Sequence, residues 1–205
     1  NPDAITQVMI GTTQFTNAFV QRNDLQKVAV VRLALPATAS IPPFTGWPEH
    51  LADIVCGGSF LVKGGYEYDG REISALNEKE IREVAKQIGD LGIEAVALSC
   101  AFSTVSSDME VQATQILESE LKGVNVTRSG DIGSTGLLAR ENAAIVNCSL
   151  NRLSDKVIQS FVDALASLGL TAPLYISQND GTLMSVMHAR RFPVLTFASG
   201  PTNSM

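Results

Sequence analysis

The chain has 205 residues, 45% of them hydrophobic and 18% charged, which suits one large or two small globular domains with a real core. Its formal net charge of −6 gives nucleic acid or an anionic membrane no basic surface to bind, so neither is expected as a partner. No apolar run reaches the 18 residues that a membrane span needs.

In chain order, residues 5–10 read as a short strand and 13–22 as a helix. Residues 27–35 form a second, valine-rich strand bounded by Pro36. Four prolines between 36 and 48 predict an irregular connection. The pairs Gly57-Gly58, Gly64-Gly65 and Asp69-Gly70 predict hairpins across 54–74, with Asp69-Gly70 the clearest turn. Asn77 and Glu80 form a capping box, and Ile81, Val84, Ala85, Ile88 and Leu91 then recur at helical spacing until Gly92. A buried strand follows at 94–102. Ser107 and Glu110 repeat the box before a helix through Ala113, Ile116, Leu117 and Leu121, and 124–129 is the next strand. Two helices are expected at 136–150 and 155–168, the second capped by Ser154, and strands at 172–178 and 192–198. Strands alternating with amphipathic helices imply an α/β fold with parallel pairing.

The chemistry-bearing residues are sparse. Cys56, Cys100 and Cys148 are far apart and only two histidines accompany them, which predicts buried thiols in a reducing compartment and no zinc site. No nucleophile elbow, HExxH or calcium loop occurs. His188, beside Arg190 and Arg191, reads as an ordinary surface histidine.

Three turns remain where an α/β protein places ligands, because the backbone N–H groups opening the next helix are free there. Gly11-Thr12-Thr13 precedes a helix, with Thr16 and Asn17 one turn on. A cap explains one threonine, but Thr16 and Asn17 are poor helix formers, so the cluster either caps the helix or faces a ligand. "SGDIGSTG" (129–136) is either a loose anion cradle or a plain flexible turn. Gln178, Asn179, Asp180 and Gly181 end a strand, and an Asn-Asp-Gly turn also forms for backbone reasons alone.

Four phrases together resemble the hydantoinase/oxoprolinase family, specifically its hydantoinase A-type subunit: "IGTTQFTNAFVQR" (10–22), "LLARENAAIVNCSL" (137–150), "LYISQNDGTLMS" (174–185) and "PVLTFASGPTNSM" (193–205). Their order and spacing run nearly the full length of the chain.

The resemblance implies part of an actin-like (ribonuclease H-like) ATPase fold, with mixed or parallel sheets flanked by helices. It also implies an N-terminal region over 1–135 and the start of a hydantoinase A core region over 136–205. Members use ATP with a divalent cation such as Mg to open cyclic amides of the hydantoin or 5-oxoproline type. Relatives are subunits of ATP-dependent ketone carboxylases, and a hydantoinase B-type subunit or domain is the implied partner. A non-catalytic actin-like binding or regulatory domain is the alternative.

Carried over, the nucleotide or substrate cleft is expected at Gly11, Thr12, Thr13, Thr16 and Asn17, at Asn179, Asp180 and Gly181, and at Ser199, Gly200 and Pro201. No residue is given a proton-transfer role. The family's Asp-x-Gly-Gly-Thr phosphate loops precede and follow this stretch. A chain starting at Asn1-Pro2 and stopping in a turn-rich phrase is therefore expected to be an inactive fragment, holding no cofactor by itself, of a cytoplasmic enzyme. The segment "RENAAIVN" departs from the Arg-then-Ser/Thr pattern of oxoprolinase-like members and points to a divergent subgroup.

Overall fold

The structure is a computed structural model and describes residues 4–134 and 136–199. The chain divides into two compact units, one made of residues 1–25 and 150–205, the other of 26–149.

The second unit is a parallel α/β layer. Strands β2 (Val28–Leu35), β3 (Cys56–Lys63), β4 (Ala95–Cys100) and β5 (Asn125–Arg128) form one sheet in the order β3-β2-β4-β5. All three pairings are parallel, so each connection is a crossover, and helices α2 (Glu49–Val55), α3 (Glu78–Asp90) and α4 (Asp108–Glu120) supply them. The two central strands are buried on both faces, which is why they read as continuous apolar runs.

The two faces differ. Ala29, Val31 and Leu33 with Val96, Leu98 and Cys100 pack on Ile81, Val84, Ala85 and Ile88 of α3 and Ala113, Ile116 and Leu117 of α4. Side chains alternate along a strand, so Arg32 and its register partner Ser99 belong to the opposite face. There they meet Glu141 of α5 (Leu137–Ser167): Arg32 Nε and Nη2 donate to its carboxylate at 2.7 and 2.5 Å, and Ser99 Oγ donates at 2.7 Å. Arg32 Nη1 donates to the Ile41 carbonyl. On the same face Asn147 Nδ2 donates to Thr127 Oγ1 at 3.2 Å.

The other unit holds a three-stranded sheet in the order β1-β6-β7, from β1 (Val8–Ile10), β6 (Leu174–Ser177) and β7 (Leu183–Ser185). β1 pairs parallel with β6, and β6 antiparallel with β7. Ile158, Leu174, Ile176, Met184 and Ala189 form its core, with Val8, Ile10 and Phe161 against them. Helices α1 (Gln14–Gln21) and α6 (Val186–Arg191) and the later turns of α5 complete it.

Local signals hold where the chain itself decides. Asn77 caps α3, its Oδ1 accepting from the N–H of Lys79 and Glu80. Five expectations need correction. The hairpins across 54–74 are instead the end of α2 and the parallel strand β3. Gly57 and Gly58 lie inside that strand because of close packing: a Cβ on Gly57 would stand 2.6 Å from Ile93 Cδ1, and one on Gly58 3.0 Å from the Phe60 ring. Only Asp69-Gly70 keeps a hairpin character, closed by the Tyr66–Glu72 bridge. The two helices of 136–150 and 155–168 are one, because neither Gly nor Pro interrupts 137–167; Ser154, instead of capping, donates to the Ala189 carbonyl at 3.3 Å. Ser107 makes no side-chain cap, and Glu110 turns inward to accept from Ser129 Oγ at 2.8 Å and Gly130 N at 3.2 Å. Residues 193–196 form a 3-10 helix opened by Pro193, which has no N–H to give a sheet. Cys56 is half-exposed, unlike Cys100 and Cys148, which are buried.

Candidate functional site

The pairing of β1 with β6 decides the site. Ile10 stands opposite Ile176, so the chain leaves both parallel strands side by side, through Gly11 on one and Ser177 on the other. Beyond them lies a cavity of about 580 Å³ lined by Met9, Gly11, Thr12, Thr13, Ser177, Gly181 and Leu183, all within one unit. Adjacent carboxyl ends of parallel strands are the usual ligand position in such sheets.

Each wall has a local cause. Thr12 is buried and its Oγ1 accepts from Gln14 N at 3.2 Å, tightening the turn into α1. Thr13 occupies the N-cap position without a side-chain cap; its Oγ1 accepts instead from Asn17 Nδ2 at 3.4 Å. The cap that would have explained Thr13 is therefore absent, and this exposed residue lines the cavity immediately before α1.

Across the cavity, β6 turns into β7. Gln178 N donates to the Thr182 carbonyl at 2.8 Å, and Gly181 takes φ +85°, a left-handed conformation suited to glycine. Asp180 closes the turn, accepting from Thr182 N at 2.9 Å and Thr182 Oγ1 at 2.7 Å; those bonds hold its carboxyl below the usual aspartate range. Its carboxylate is thus spent on the turn. Asn179 N donates to the Leu195 carbonyl at 2.8 Å, tying the turn to the 3-10 helix.

Of the expected residues, Gly11, Thr12, Thr13 and Gly181 come together around one cavity. Thr16 and Asn17 lie one turn into α1 and Asn179 and Asp180 in the neighbouring turn, none of them lining it. Ser199 is buried with its Oγ unpaired among the described residues and does not line the cavity either. Gly200 and Pro201 lie outside the described residues. Ser177, Met9 and Leu183 line the cavity and were not singled out. Ser177 ends an apolar strand at a turn, which was the available signal, but its partner strand is nearly the whole chain away.

The lining supplies hydroxyls, backbone groups and apolar walls. Among the described residues, no three of His, Cys, Asp and Glu gather where they could hold a metal ion. No helix among them is long and apolar enough to cross a membrane.

The parallel sheet flanked by helices and the smaller mixed sheet give an α/β fold of the actin-like kind, and comparison with known proteins agrees. The chain aligns over 99% of its length with an ATP-dependent caprolactamase from Pseudomonas jessenii (TM-score 0.80, 20% identity). It aligns over 98% with a nucleotide-free acetone carboxylase described under ATP-dependent acetone carboxylation (TM-score 0.78, 18% identity). Both likenesses establish the fold. The chain spans 31% of each of those chains. It is also 26% identical over 143 residues to the uncharacterized protein MJ0964 of Methanocaldococcus jannaschii, covering 69% of this chain and 21% of that one. The descriptions "Hydantoinase/oxoprolinase N-terminal region" and "Hydantoinase/oxoprolinase" match residues 1–121 and 140–205. The chain belongs to the hydantoinase/oxoprolinase family.

Proposed function

We propose that this chain is part of an ATP-dependent hydrolase that opens a cyclic amide of the hydantoin or 5-oxoproline type, with the β1/β6 cavity facing the nucleotide or the substrate. The observation that carries this reading is the meeting of Gly11, Thr12 and Thr13 with Ser177 and Gly181 around one cavity. One of the two similar structures is a caprolactamase, named for a lactam, and a lactam is a cyclic amide.

An amide is a poor electrophile, and ATP with a divalent cation such as Mg would supply the phosphoryl group that activates its oxygen. The residues present fit the oxygen-rich part of such a ligand. The Thr12 and Thr13 hydroxyls can donate to phosphate or carbonyl oxygens, and the Ser177 hydroxyl offers a further donor from the opposite wall. Met9 and Leu183 narrow the space available to water. The lining offers no carboxylate for a cation, which must then come from elsewhere in the protein. This chain thus orients and hydrogen-bonds; proton transfer is left to other groups. We read residues 1–135 and 136–205 as the two family regions, and a hydantoinase B-type subunit or domain as the partner.

The test is ATP hydrolysis by the full-length protein with that partner, measured with hydantoin, 5-oxoproline and caprolactam. Stimulation by at least one is expected. Thr13→Val and Asn17→Leu, both at exposed positions, should keep the fold and lower stimulated turnover by about tenfold or more. Full activity in both variants would reduce the threonine cluster to a helix start. The likeness to acetone carboxylase favours a second reading, ketone carboxylation, and stimulation by acetone with bicarbonate but by no cyclic amide would select it.

A further inference from the structure

A second cavity, of about 400 Å³, lies in the other unit and takes no part in the reading above. Counted in that unit's own chain order, its parallel strands run 2-1-3-4, so the order in which the chain adds strands reverses between β2 and β4. The cavity opens at that reversal. Ala37 and Thr38 follow β2, Ala101 and Phe102 follow β4, and Ser134 and Gly136 come from the glycine-rich turn before α5. Open α/β sheets bind ligands in the crevice outside the carboxyl ends of the strands, where the strand order reverses.

Two independent features mark it as built. Phe102 holds a left-handed φ of +51°, an unfavourable conformation for a non-glycine residue, and is 44% exposed. Arg140 is 4% exposed, yet it lines the cavity. Its guanidinium is fixed by Nη2 donating to the Cys100 carbonyl at 3.0 Å and to Ser103 Oγ at 3.1 Å, and by Nε donating to Ser129 Oγ at 3.5 Å, the hydroxyl that itself donates to Glu110. All three acceptors are neutral, and the Glu110 carboxyl stands behind the Ser129 hydroxyl.

Two carboxylates compete for that charge. Glu67 is at the rim and exposed, where water screens it. Glu110 is buried behind the 129–130 turn, already accepts from Ser129 Oγ and Gly130 N, and does not line the cavity. Burial favours the neutral form of Glu110, which leaves Arg140 as the charge on the interior wall. Ile73, Phe102 and Leu137 make the rest of the wall largely apolar, with Thr38 and Thr104 supplying hydroxyls. One fixed cation suits a monoanion. A phosphate dianion asks for more charged donors than one guanidinium supplies.

We propose that this cavity binds a small aliphatic carboxylate, its carboxylate on Arg140 and its chain against Ile73, Phe102 and Leu137. The site is separate from the β1/β6 cavity, and its failure would leave that reading untouched.

The experiment follows isoleucine and leucine methyl signals of the full-length protein during titration with hexanoate, hexanamide and inorganic phosphate. Hexanoate should give saturable shifts at Ile73 and Leu137. Hexanamide should bind about tenfold or more weakly, the value of one charge-assisted contact. Arg140→Met should bring hexanoate down to the hexanamide level. Leu137→Trp, at a half-buried position, should fill the space and abolish the Ile73 shift even if the Arg140 variant fails to fold. Equal binding of acid and amide would overturn the proposal. So would saturation by phosphate in place of hexanoate, shifts confined to Leu183 in the other cavity, or no Ile73 shift at about 20 mM hexanoate.

Discussion

Replacing Glu141 by glutamine removes the anion around which Arg32 is held while preserving the shape of the side chain. Both groups are essentially shut off from water, at 0 and 1% exposure. Arg32 would then keep its charge in the interior with only the Ile41 carbonyl and an amide to face. Removing one partner of such a pair costs about 3–5 kcal/mol, because the remaining charge is buried without compensation. With an ordinary urea dependence this is a fall of about 1–2 M in the unfolding midpoint. Trp47 is the single tryptophan, and its Nε1 donates to Asn142 Oδ1 at 2.9 Å, one residue from Glu141. Its fluorescence therefore reports on the unit concerned. The double variant Arg32→Met with Glu141→Leu removes both charges and should recover most of the loss. It leaves the Ser99 hydroxyl and the Ile41 carbonyl to find new partners, at about 1 kcal/mol each. A loss under about 1 kcal/mol for Glu141→Gln, or a double variant no more stable than the single one, would refute this account of the pair.

Two further outcomes follow from other buried groups. Burial pushes the Glu110 carboxyl above the usual glutamate range, against the hydrogen bonds from Ser129 and Gly130 that favour its charged form. The native state then holds a proton that the unfolded chain has already lost, so stability falls as pH rises from the ordinary glutamate range through the native value. Glu110→Gln should remove that slope, and urea midpoints measured from about pH 4 to pH 8 check it. Burial likewise raises the Cys100 and Cys148 thiols to about 12, whereas Cys56 is half-exposed. Iodoacetamide on the native protein should therefore label Cys56 alone, with the other two reacting only in denaturant; mass spectrometry reads the sites.

What the sequence by itself determined was whatever depends on neighbours along the chain. The Asn77 cap, the helical spacing of Ile81 to Ile88 and the apolar strands at 28–35 and 95–100 are set within a few residues, and the alternation of strand and helix already implied parallel pairing. Of the candidate site, the Gly11-Thr12-Thr13 turn and Gly181 were legible because their polarity and flexibility are local properties.

Tertiary structure decided what depends on distant partners. Gly57 and Gly58 look like a turn in isolation and become strand only when Val28 to Leu35 pairs beside them and Ile93 packs on top. Glu110 looks like half of a capping box and becomes a buried carboxyl because Ser129 and Gly130 are folded against it. Ser177 acquires its place opposite the threonines through the register of β1 with β6, a pairing of segments more than 160 residues apart. Arg140 and Glu141 are adjacent in sequence and equally polar. Helical rotation sends one to a cavity wall and the other into the Arg32 pair, and no local pattern distinguishes them.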